Sequence, residues 1–427
     1  MRKRYFNILY SEKSIFDIIQ ENDTENCDAF NIIADCVVSP VVFMYTTWII
    51  HKAEKSGIKK IYFFSRDGYL MYHTAKFICE KRQNGIHCSY FYCSRYSLRM
   101  AAYRFKDDSA YDKLFYFAYK MSVSMLLQRA DFSSEERKLV YKDINFHFDE
   151  NEIIGKRKFS EICDKIKAST VFEKILLKKS NNAFDNFCLY INQESFSEYT
   201  DVAVVDLGWN GSMQYTLRKL LDSMKIKTVL HGFYLGLLSE PQSCEGSFYY
   251  SWLFNKNNFF IRSWFSHNLL ECICSAPHGM TTSYIYNNNI ITAVMTENEN
   301  SGESVEIIKE SLNKFKFLDF PEYKKTYKEL ARRLLFNLMV RPENEEVKAL
   351  SKYCFCDDIA EQYHGELACG VKRKELVKEI FPIKLFYRDN SDGLYWYFGS
   401  AEISKVRNKY IYKSGYLITK YLISVLR

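Results

Sequence analysis

The sequence lacks the features of a membrane span, of a secretory signal and of a chain divided by rigid linkers. It has no run of about 18 consecutive apolar residues, the length that crosses a bilayer. Its basic start, MRKRYFNILYSEKS, is followed by polar residues, whereas a secretory signal continues into an apolar region. Only 6 of the 427 residues are proline, so few rigid linkers are expected. These absences predict a cytoplasmic protein with no membrane span.

The composition is that of a folded globular protein. Hydrophobic residues make up 47% of the chain and charged residues 26%, which excludes wholesale disorder. The net charge of +7 comes from 59 basic and 52 acidic residues that are spread along the chain, and we therefore expect no nucleic-acid partner. The 13 cysteines are odd in number and scattered, which is typical of reduced core thiols.

The stretch from Val202 to Leu221 has the pattern of a ligand-binding unit. A short apolar run rich in β-branched residues predicts a strand buried on both faces, and this run ends at Asp206. A turn with Gly208 and Gly211 follows, and the next residues have helical spacing. At the carboxyl end of a parallel strand, free amide groups and the positive end of the helix dipole face the ligand crevice. The unit therefore predicts an anion site that suits phosphate.

A similar unit occurs earlier in the chain. Residues 61–64 predict a strand, the sequence Ser65-Arg66-Asp67-Gly68 predicts a turn, and a helix is expected from residue 69. If the two strands are parallel neighbours, both turns face one crevice, and Arg66 and Asp206 contact the same ligand. The alternative is structural: Asp206 caps the following helix, and Arg66 pairs with Asp67 at the surface.

A third predicted strand, residues 89–93, leads into two arginines. Arg95 and Arg99 are four residues apart, so they lie on one side of a helical turn and can hold a dianion together. The alternative is a pair of surface arginines on a solvated face. A further apolar run, residues 228–238, follows the central unit at the spacing of a neighbouring parallel strand.

These patterns predict an α/β protein with a mostly parallel, Rossmann-like sheet built from strands near residues 61, 89, 202 and 228. Helices flank the sheet. We expect an irregular lead-in over residues 1–30 and an α/β ligand-binding domain over residues 31–300. Residues 103–195 carry many charges and no strand alternation, which predicts a helical insertion in that domain, and residues 301–427 read as a mainly helical C-terminal region.

The candidate site residues follow from the three turns. Asp206 and Asp67 are the predicted catalytic acids, and Asp206 is also the predicted contact for a sugar hydroxyl or for Mg²⁺. Glu271 and His278 form a second candidate acid/base pair, although a structural histidine is the alternative. The residues predicted to contact the phosphate or the rest of the ligand are Ser65, Arg66, Gly68, Arg95, Arg99, Gly208, Asn210, Gly211, Ser212 and Gln214.

Four segments carry a resemblance to a known family. The segments IYFFSRDGYL, YCSRYSLR, VVDLGWNGSMQ and LECICSAPHG, which begin at residues 61, 92, 204 and 270, resemble the carboxyl-terminal module of predicted haloacid-dehalogenase-type hydrolases of bacterial capsule and surface-polysaccharide loci. In that family a phosphatase domain comes first, and we expect it to be missing here. A dehalogenase-type phosphatase uses Asp-x-Asp. Ser65 stands at the position of the nucleophile, which implies a degenerate phosphatase.

The layout is also similar to that of the type I phosphoribosyltransferases. In that family a short strand ends in a pyrophosphate-binding turn, as Arg66-Asp67-Gly68 would. A later strand ends in two acids and a glycine-containing turn that holds the ribose 5-phosphate. Asp206 matches the second acid and Gly211 the loop glycine, whereas Val205 stands at the first acid. This resemblance implies a phosphate-binding turn more strongly than it implies phosphoribosyl transfer.

Together these expectations describe a protein that binds, and transfers or hydrolyses, a phosphorylated sugar or nucleotide. The resemblance implies a place in bacterial surface-polysaccharide biosynthesis. The alternative is a noncatalytic scaffold that works beside a separate glycosyltransferase or phosphatase.

Overall fold

The structure is a computed structural model that describes residues 1–21, 28–106, 108–117, 121–297, 302–355, 365–385 and 394–426. Helices dominate it. In chain order they are α1 Arg2–Leu9, α2 Lys13–Glu21, α3 Ala29–Ile33, α4 Ser39–Lys55, α5 Tyr69–Arg82, α6 Arg95–Ala102, α7 Asp108–Leu114, α8 Val123–Gln128, α9 Ser134–Asp143, α10 Lys156–Ala168, α11 Thr170–Gln193, α12 Ser212–Ser223, α13 Phe259–Trp264, α14 His267–Cys274, α15 Gly302–Asn313, α16 Thr326–Val340, α17 Asn344–Ser351, α18 Arg373–Lys378, α19 Tyr397–Ile403 and α20 Lys409–Leu426.

A five-stranded parallel sheet lies at the centre of the fold. Its strands are β1 Lys60–Phe64, β2 His87–Phe91, β3 Asp201–Asp206, β4 Val229–Gly236 and β5 Ser247–Phe254. The spatial order is β2-β1-β3-β4-β5, and every neighbouring pair is parallel. The predicted α/β fold with a Rossmann-like parallel sheet is therefore confirmed. Two short antiparallel pairs accompany it: β6 Thr281–Asn287 with β7 Ile290–Met295, and β8 Cys354–Phe355 with β9 Gly365–Glu366.

Alternate residues of the central strands face two separate hydrophobic cores. Phe63 and Val205 point to a core that they share with helices α1 to α5 and α14 to α17. Phe64 and Val204 point to the opposite core, which includes helices α6 and α8 to α12. Because strand side chains alternate between faces, an apolar residue at every position requires a helical layer on each side. The continuous apolar runs in the sequence are thus explained by a three-layer arrangement.

One helical stretch has the length and composition of a membrane span. It is continuous from Ala29 to Lys55, since a π-helical segment, Ala34–Val38, joins α3 to α4. Its most apolar part is 89% buried inside the fold. That burial is the pattern of a core helix that packs against the sheet.

Several sequence-based boundaries need correction. The lead-in over residues 1–30 was expected to be irregular, but α1 and α2 place Tyr5, Leu9 and Ile15 in the same core as the sheet. The helical insertion is confirmed by α7 to α11. The C-terminal region is mainly helical, as predicted, and α15 to α17 share that core as well. The prediction missed strand β5 and the β6–β7 hairpin, whose residues are rich in aromatic and polar side chains.

Candidate functional site

The turns after β1 and β3 lie side by side at the carboxyl edge of the sheet. Ile61 pairs with Ala203 and Phe63 with Val205, so β1 and β3 are parallel neighbours whose carboxyl ends lie next to each other. The chain passes from β1 to β2 on one side, and β3, β4 and β5 extend the sheet on the other. This reversal is the topological switch point where open α/β sheets bind ligands. We call the space between these two turns the crevice.

The turn after β3 is shaped by two glycines. A Cβ atom on Gly208 would lie 2.4 Å from the carbonyl oxygen of Gly236, so no other residue fits this approach to β4. Gly211 has a φ of +66°, which glycine adopts without strain, and it stands immediately before α12. The backbone N–H groups of Leu207 and Gly208 donate to the Asp206 carboxylate. The turn therefore fixes Asp206 at the edge of the crevice.

Three carboxyl groups act on one another electrostatically across the crevice. Burial raises the pKa of Asp67 well above its ordinary value, and the negative charges of Glu271 and Asp206 raise it further against the opposing effect of Arg66 and Arg95. Burial, together with the charge of Glu271, also raises the pKa of Asp206 to about 7. Side chains with a pKa near neutrality can both give and take a proton at physiological pH. The two predicted catalytic acids are thus brought together.

Trp209 connects the turn after β3 to helix α14. Its indole Nε1–H donates to the carboxylate of Glu271, and its ring packs against Phe265 at 5.2 Å between centroids. Glu271 had been paired with His278 as an acid/base couple, but the structure places it with Asp67 and Asp206. A hydrogen bond from a buried indole stabilises a carboxylate that has like charges near it.

His278 occupies a different part of the crevice wall. Its Nδ1 lies 2.8 Å from the carbonyl oxygen of Gly279, which can only accept, so Nδ1 carries the proton. Its Nε2 lies 2.8 Å from the Tyr90 hydroxyl, which therefore donates to it. Burial lowers the pKa of His278, and the nearby charge of Arg66 lowers it further. Because both ring nitrogens are engaged and the ring is neutral, the structural alternative is the better description of His278.

Basic side chains line the other end of the crevice. Arg95 is exposed at the start of α6, and its charge acts on both Asp67 and Asp206. Arg99 follows one helical turn later, and burial together with the charges of Arg95 and Arg129 lowers its pKa to about 10. Burial and the charges of Arg99 and Arg95 also lower the pKa of Lys113. The charged groups of Arg95, Arg99 and Lys113 make no hydrogen bond or ion pair with any other residue that the structure describes, and we call these three residues the basic cluster.

The basic cluster has the properties of an anion site. Crowded cations without an acidic partner repel each other, and an anion bound among them relieves that repulsion. Arg129 is not part of the cluster, because it is only 2% exposed and its guanidinium donates to the carbonyl oxygens of Leu114 and Tyr116. Lys113 was missed by the sequence analysis. It lies in the helical insertion, where nothing local distinguishes it from other lysines.

Ser65 is a structural residue and its predicted ligand contact is wrong. Its Oγ–H donates to the carbonyl oxygen of Cys93 at 2.7 Å, and the Cys93 N–H donates back to Oγ at 2.9 Å. The residue is only 8% exposed. These two bonds tie the ends of β1 and β2 together, so the hydroxyl has no free proton with which to contact a phosphate, and it is not placed as a nucleophile.

Gln214 is also structural, contrary to the prediction. Its side chain is fully buried, and its amide Nε2 donates to the carbonyl oxygens of Leu230 and Phe248 at 3.3 and 3.1 Å. Its Oε1 accepts from the Tyr234 hydroxyl at 2.9 Å. The amide therefore joins helix α12 to strands β4 and β5. The helical phase explains the error, because position 214 is on the sheet-facing side of α12.

The remaining predicted contacts lie around the two turns. Arg66 follows β1 and is half-buried beside Asp67, and Gly68 closes this turn with its N–H on the carbonyl oxygen of Phe64 at 2.8 Å. Asn210 is exposed and accepts from the Ser239 hydroxyl at 2.8 Å. Ser212 is the first residue of α12. These positions border the crevice, and their contact with a ligand stays a prediction.

A magnesium site is not formed by the protein alone in the described part of the chain. Within it, no group of three or more His, Cys, Asp or Glu side chains is arranged to hold a metal ion. Mg²⁺ is commonly bound by one or two carboxylates together with substrate phosphates, so the predicted Asp206 contact stays a prediction.

Comparison with known proteins provides no assignment. Neither the protein-family models nor the curated proteins that were compared with this chain match it.

Proposed function

We propose that the crevice binds a phosphorylated sugar or nucleotide and that the protein transfers or hydrolyses it with Asp206 and Asp67 as proton donors and acceptors. The basic cluster binds the phosphate. The sugar hydroxyls lie toward the carboxyl groups. The observation that carries this proposal is the juxtaposition, at the switch point of the sheet, of the basic cluster, whose charged groups have no partner among the described residues, with carboxyl groups whose pKa is raised.

The charge distribution supports this orientation of the ligand. A phosphate next to three ionised carboxylates would be repelled, but a carboxyl with a pKa of about 7 is largely neutral at slightly acidic pH and donates a hydrogen bond. Arg95 lies between the two groups of charges, since it acts on Asp67, Asp206, Arg99 and Lys113. It is the residue best placed to hold the phosphate while an acid acts on the bond next to it.

The proposed place in surface-polysaccharide assembly rests on the sequence resemblance alone. In that resemblance Ser65 replaces the nucleophilic Asp of a dehalogenase-type phosphatase, and the hydrogen bonds of Ser65 with Cys93 argue against a nucleophilic role for the serine itself. The proposal therefore uses general acid/base chemistry, in which a positioned side chain transfers a proton.

Thermal unfolding and calorimetry with a panel of sugar phosphates, nucleotide sugars and phosphoribosyl diphosphate test this function. We expect one ligand class to stabilise the protein, and we expect Arg99→Ala and Arg95→Ala to weaken binding by at least about tenfold, or 1.4 kcal/mol. Arg157→Ala is the matched control, because Arg157 is 95% exposed on α10 and pairs only with Glu161. Asp206→Asn should retain binding but lose turnover.

The scaffold alternative makes the opposite prediction. If no ligand of the panel binds and the wild-type protein associates stably with a glycosyltransferase or phosphatase, the enzyme proposal is wrong. If ligands bind equally well to wild type, Arg95→Ala and Arg99→Ala, the crevice is not the site.

A further inference from the structure

A cavity of about 660 Å³ lies between α13, α16 and α20 and shares no lining residue with the crevice. Its apolar lining includes Phe260 and Trp264 of α13, Phe336 of α16 and Tyr421 of α20. Small-molecule sites in proteins are mostly apolar clefts of roughly 300–1,000 Å³ with a few polar groups. The cavity therefore has the size and the lining of a site for an organic ligand.

Ring contacts hold together the aromatic side of the cavity, formed by Phe260, Trp264 and Phe336. Trp264 meets Phe336 edge-on, with 5.2 Å between ring centroids, and Phe260 lies parallel to Phe336 at 6.4 Å. Trp264 is 3% exposed, and its Nε1–H has no hydrogen-bond partner among the described residues. A buried donor without a partner costs free energy unless another molecule accepts its hydrogen bond. Phe260 is 56% exposed, so the wall is open on one side.

The polar side of the cavity is basic. Arg332 donates through Nη2 to the carbonyl oxygen of Leu253 at 2.7 Å, and its Nε lacks a partner in the described part of the chain. The Arg333 side chain is exposed, and its guanidinium has no hydrogen bond or ion pair with another described residue. Glu329 is the only acid in the lining, and it lies 3.7 Å from Arg332. Two guanidinium groups against one carboxylate favour a ligand with an anionic group.

Helix α20 extends the apolar wall of the cavity over the surface. It packs against the protein through Tyr416 and Leu417 and through small polar residues. Thr419 accepts from the Phe381 N–H at 2.7 Å, and the carbonyl oxygen of Ser424 accepts from Arg262. The sequence of α20 contains no acid. A second set of apolar residues faces outward at helical spacing, with exposed fractions of 38% to 83%; they are Tyr410, Ile411, Ile418, Tyr421, Leu422, Val425 and Leu426.

An ordinary surface helix turns its apolar stripe to the core and a polar face to solvent, whereas α20 carries apolar residues on its outer face as well. The 18 residues of α20 span about 27 Å. Since Tyr421 belongs both to the outward face and to the cavity lining, the aliphatic surface is continuous with the cavity. A compact ligand such as a free nucleotide would leave the outward face uncovered, whereas an alkyl chain would cover it.

We propose that this cavity and the outer face of α20 bind an alkyl amphiphile with a phosphate head. Arg332 and Arg333 bind the phosphate. The first part of the alkyl chain lies against Phe260 and Phe336, and the remainder lies along Ile418 and Leu422. The molecule reaches the site as a free amphiphile, because the donors without a partner, Trp264 Nε1 and Arg332 Nε, are buried atoms that a headgroup meets only inside the cavity.

Dodecyl phosphate is a suitable probe, with dodecanol and inorganic phosphate as matched halves of it. Calorimetry should show binding of dodecyl phosphate, at least about tenfold weaker binding of dodecanol and no binding of inorganic phosphate. Arg333→Glu and Ile418→Ser should each weaken the binding of dodecyl phosphate by at least about tenfold. Arg157→Glu is the control, because this exposed residue of α10 is not part of the cavity. Equal thermal unfolding of the variants shows that they are folded.

Flotation with vesicles distinguishes the two sources of the ligand. Binding of dodecyl phosphate without flotation supports the proposal; flotation with vesicles that contain phosphatidic acid, but not with pure phosphatidylcholine vesicles, overturns it and assigns the site to a lipid in a bilayer. The proposal is overturned if neither binds, if the variants bind as wild type does, or if Ile418→Ser instead dissociates a dimer, which assigns the face to a second copy of the chain. Because Arg333 lies outside the crevice, its substitution leaves the proposed sugar-phosphate binding unchanged.

Discussion

Trp209 donates its indole Nε1–H to the Glu271 carboxylate and so joins the turn after β3 to helix α14. This bond supports a carboxylate whose charge acts on both Asp67 and Asp206. Trp209→Phe removes the donor and leaves the carboxylate among like charges. We expect the free energy of unfolding to fall by about 2–4 kcal/mol, the sum of a charged hydrogen bond and a smaller ring. Urea denaturation measures it.

Trp252→Phe is the matched control for this prediction. Trp252 is 1% exposed, and its Nε1–H has no partner among the described residues, so the substitution removes the same atoms without breaking a hydrogen bond. An equal loss of stability in both variants would show that the Trp209–Glu271 bond contributes nothing.

The raised pKa of Asp206 predicts a specific dependence of stability on pH. In the folded protein Asp206 has a pKa of about 7 and keeps its proton below that pH, whereas in the unfolded chain its pKa is about 3.9. The stabilising contribution of this proton is therefore complete below the unfolded pKa and is lost as the pH rises through the folded value. Asp206→Asn cannot ionise. As the pH rises from 5 to 8, its free energy of unfolding should therefore increase relative to that of wild type by about 2–3 kcal/mol.

Urea denaturation of both proteins at several pH values provides the measurement. The difference between them isolates Asp206 from other groups, including His278, whose lowered pKa acts in the opposite direction. A difference that does not change with pH would mean that Asp206 is ionised throughout this range.

The buried amide of Gln214 should be essential for stability. Gln214→Leu keeps the approximate shape but leaves the carbonyl oxygens of Leu230 and Phe248 and the hydroxyl of Tyr234 without their present partner. We expect a loss of about 2–4 kcal/mol in the free energy of unfolding. Gln242→Leu is the control, since Gln242 is exposed and donates only to the Tyr215 hydroxyl. Similar losses at both positions would contradict this assignment.

The N-terminal helix should be held by a buried hydrogen bond. The Tyr5 hydroxyl donates to Glu346 Oε1 at 2.6 Å, and both residues are 0% exposed. Tyr5→Phe should therefore lower the free energy of unfolding by about 1.5–3 kcal/mol, the range of a bond to a charged group. Tyr10→Phe, at a residue that is 74% exposed, should change it by less than about 0.5 kcal/mol. Denaturation of both variants compares them, and a Tyr5→Phe protein as stable as wild type would refute the prediction.

The parts of the site that could be predicted have a local signal. Asp206, Gly208 and Gly211 follow a β-branched apolar run, and Arg66 and Asp67 follow another, so their place at the ends of strands is readable from periodicity. Arg95 and Arg99 lie in α6, as their spacing indicated. These features depend only on residues within one turn of each other.

The errors have a common physical reason. Ser65 and Gln214 lie close in sequence to residues that border the crevice. Their polar groups are used inside the protein, which only their hydrogen bonds with Cys93 and with Leu230, distant in the chain, show. Strand β5 was missed because it is an edge strand of aromatic residues, for which the alternation of apolar and polar side chains is weak.

The sequence by itself determined the parallel α/β architecture, because runs of apolar residues at consecutive positions require a sheet covered on both faces. It also determined which turns carry glycines and charges. Only the tertiary structure decided that Glu271 joins Asp67 and Asp206, that Lys113 joins Arg95 and Arg99, and that α20 faces outward. Those relationships join residues far apart in the chain, and burial and charge act through space, so no local pattern contains them.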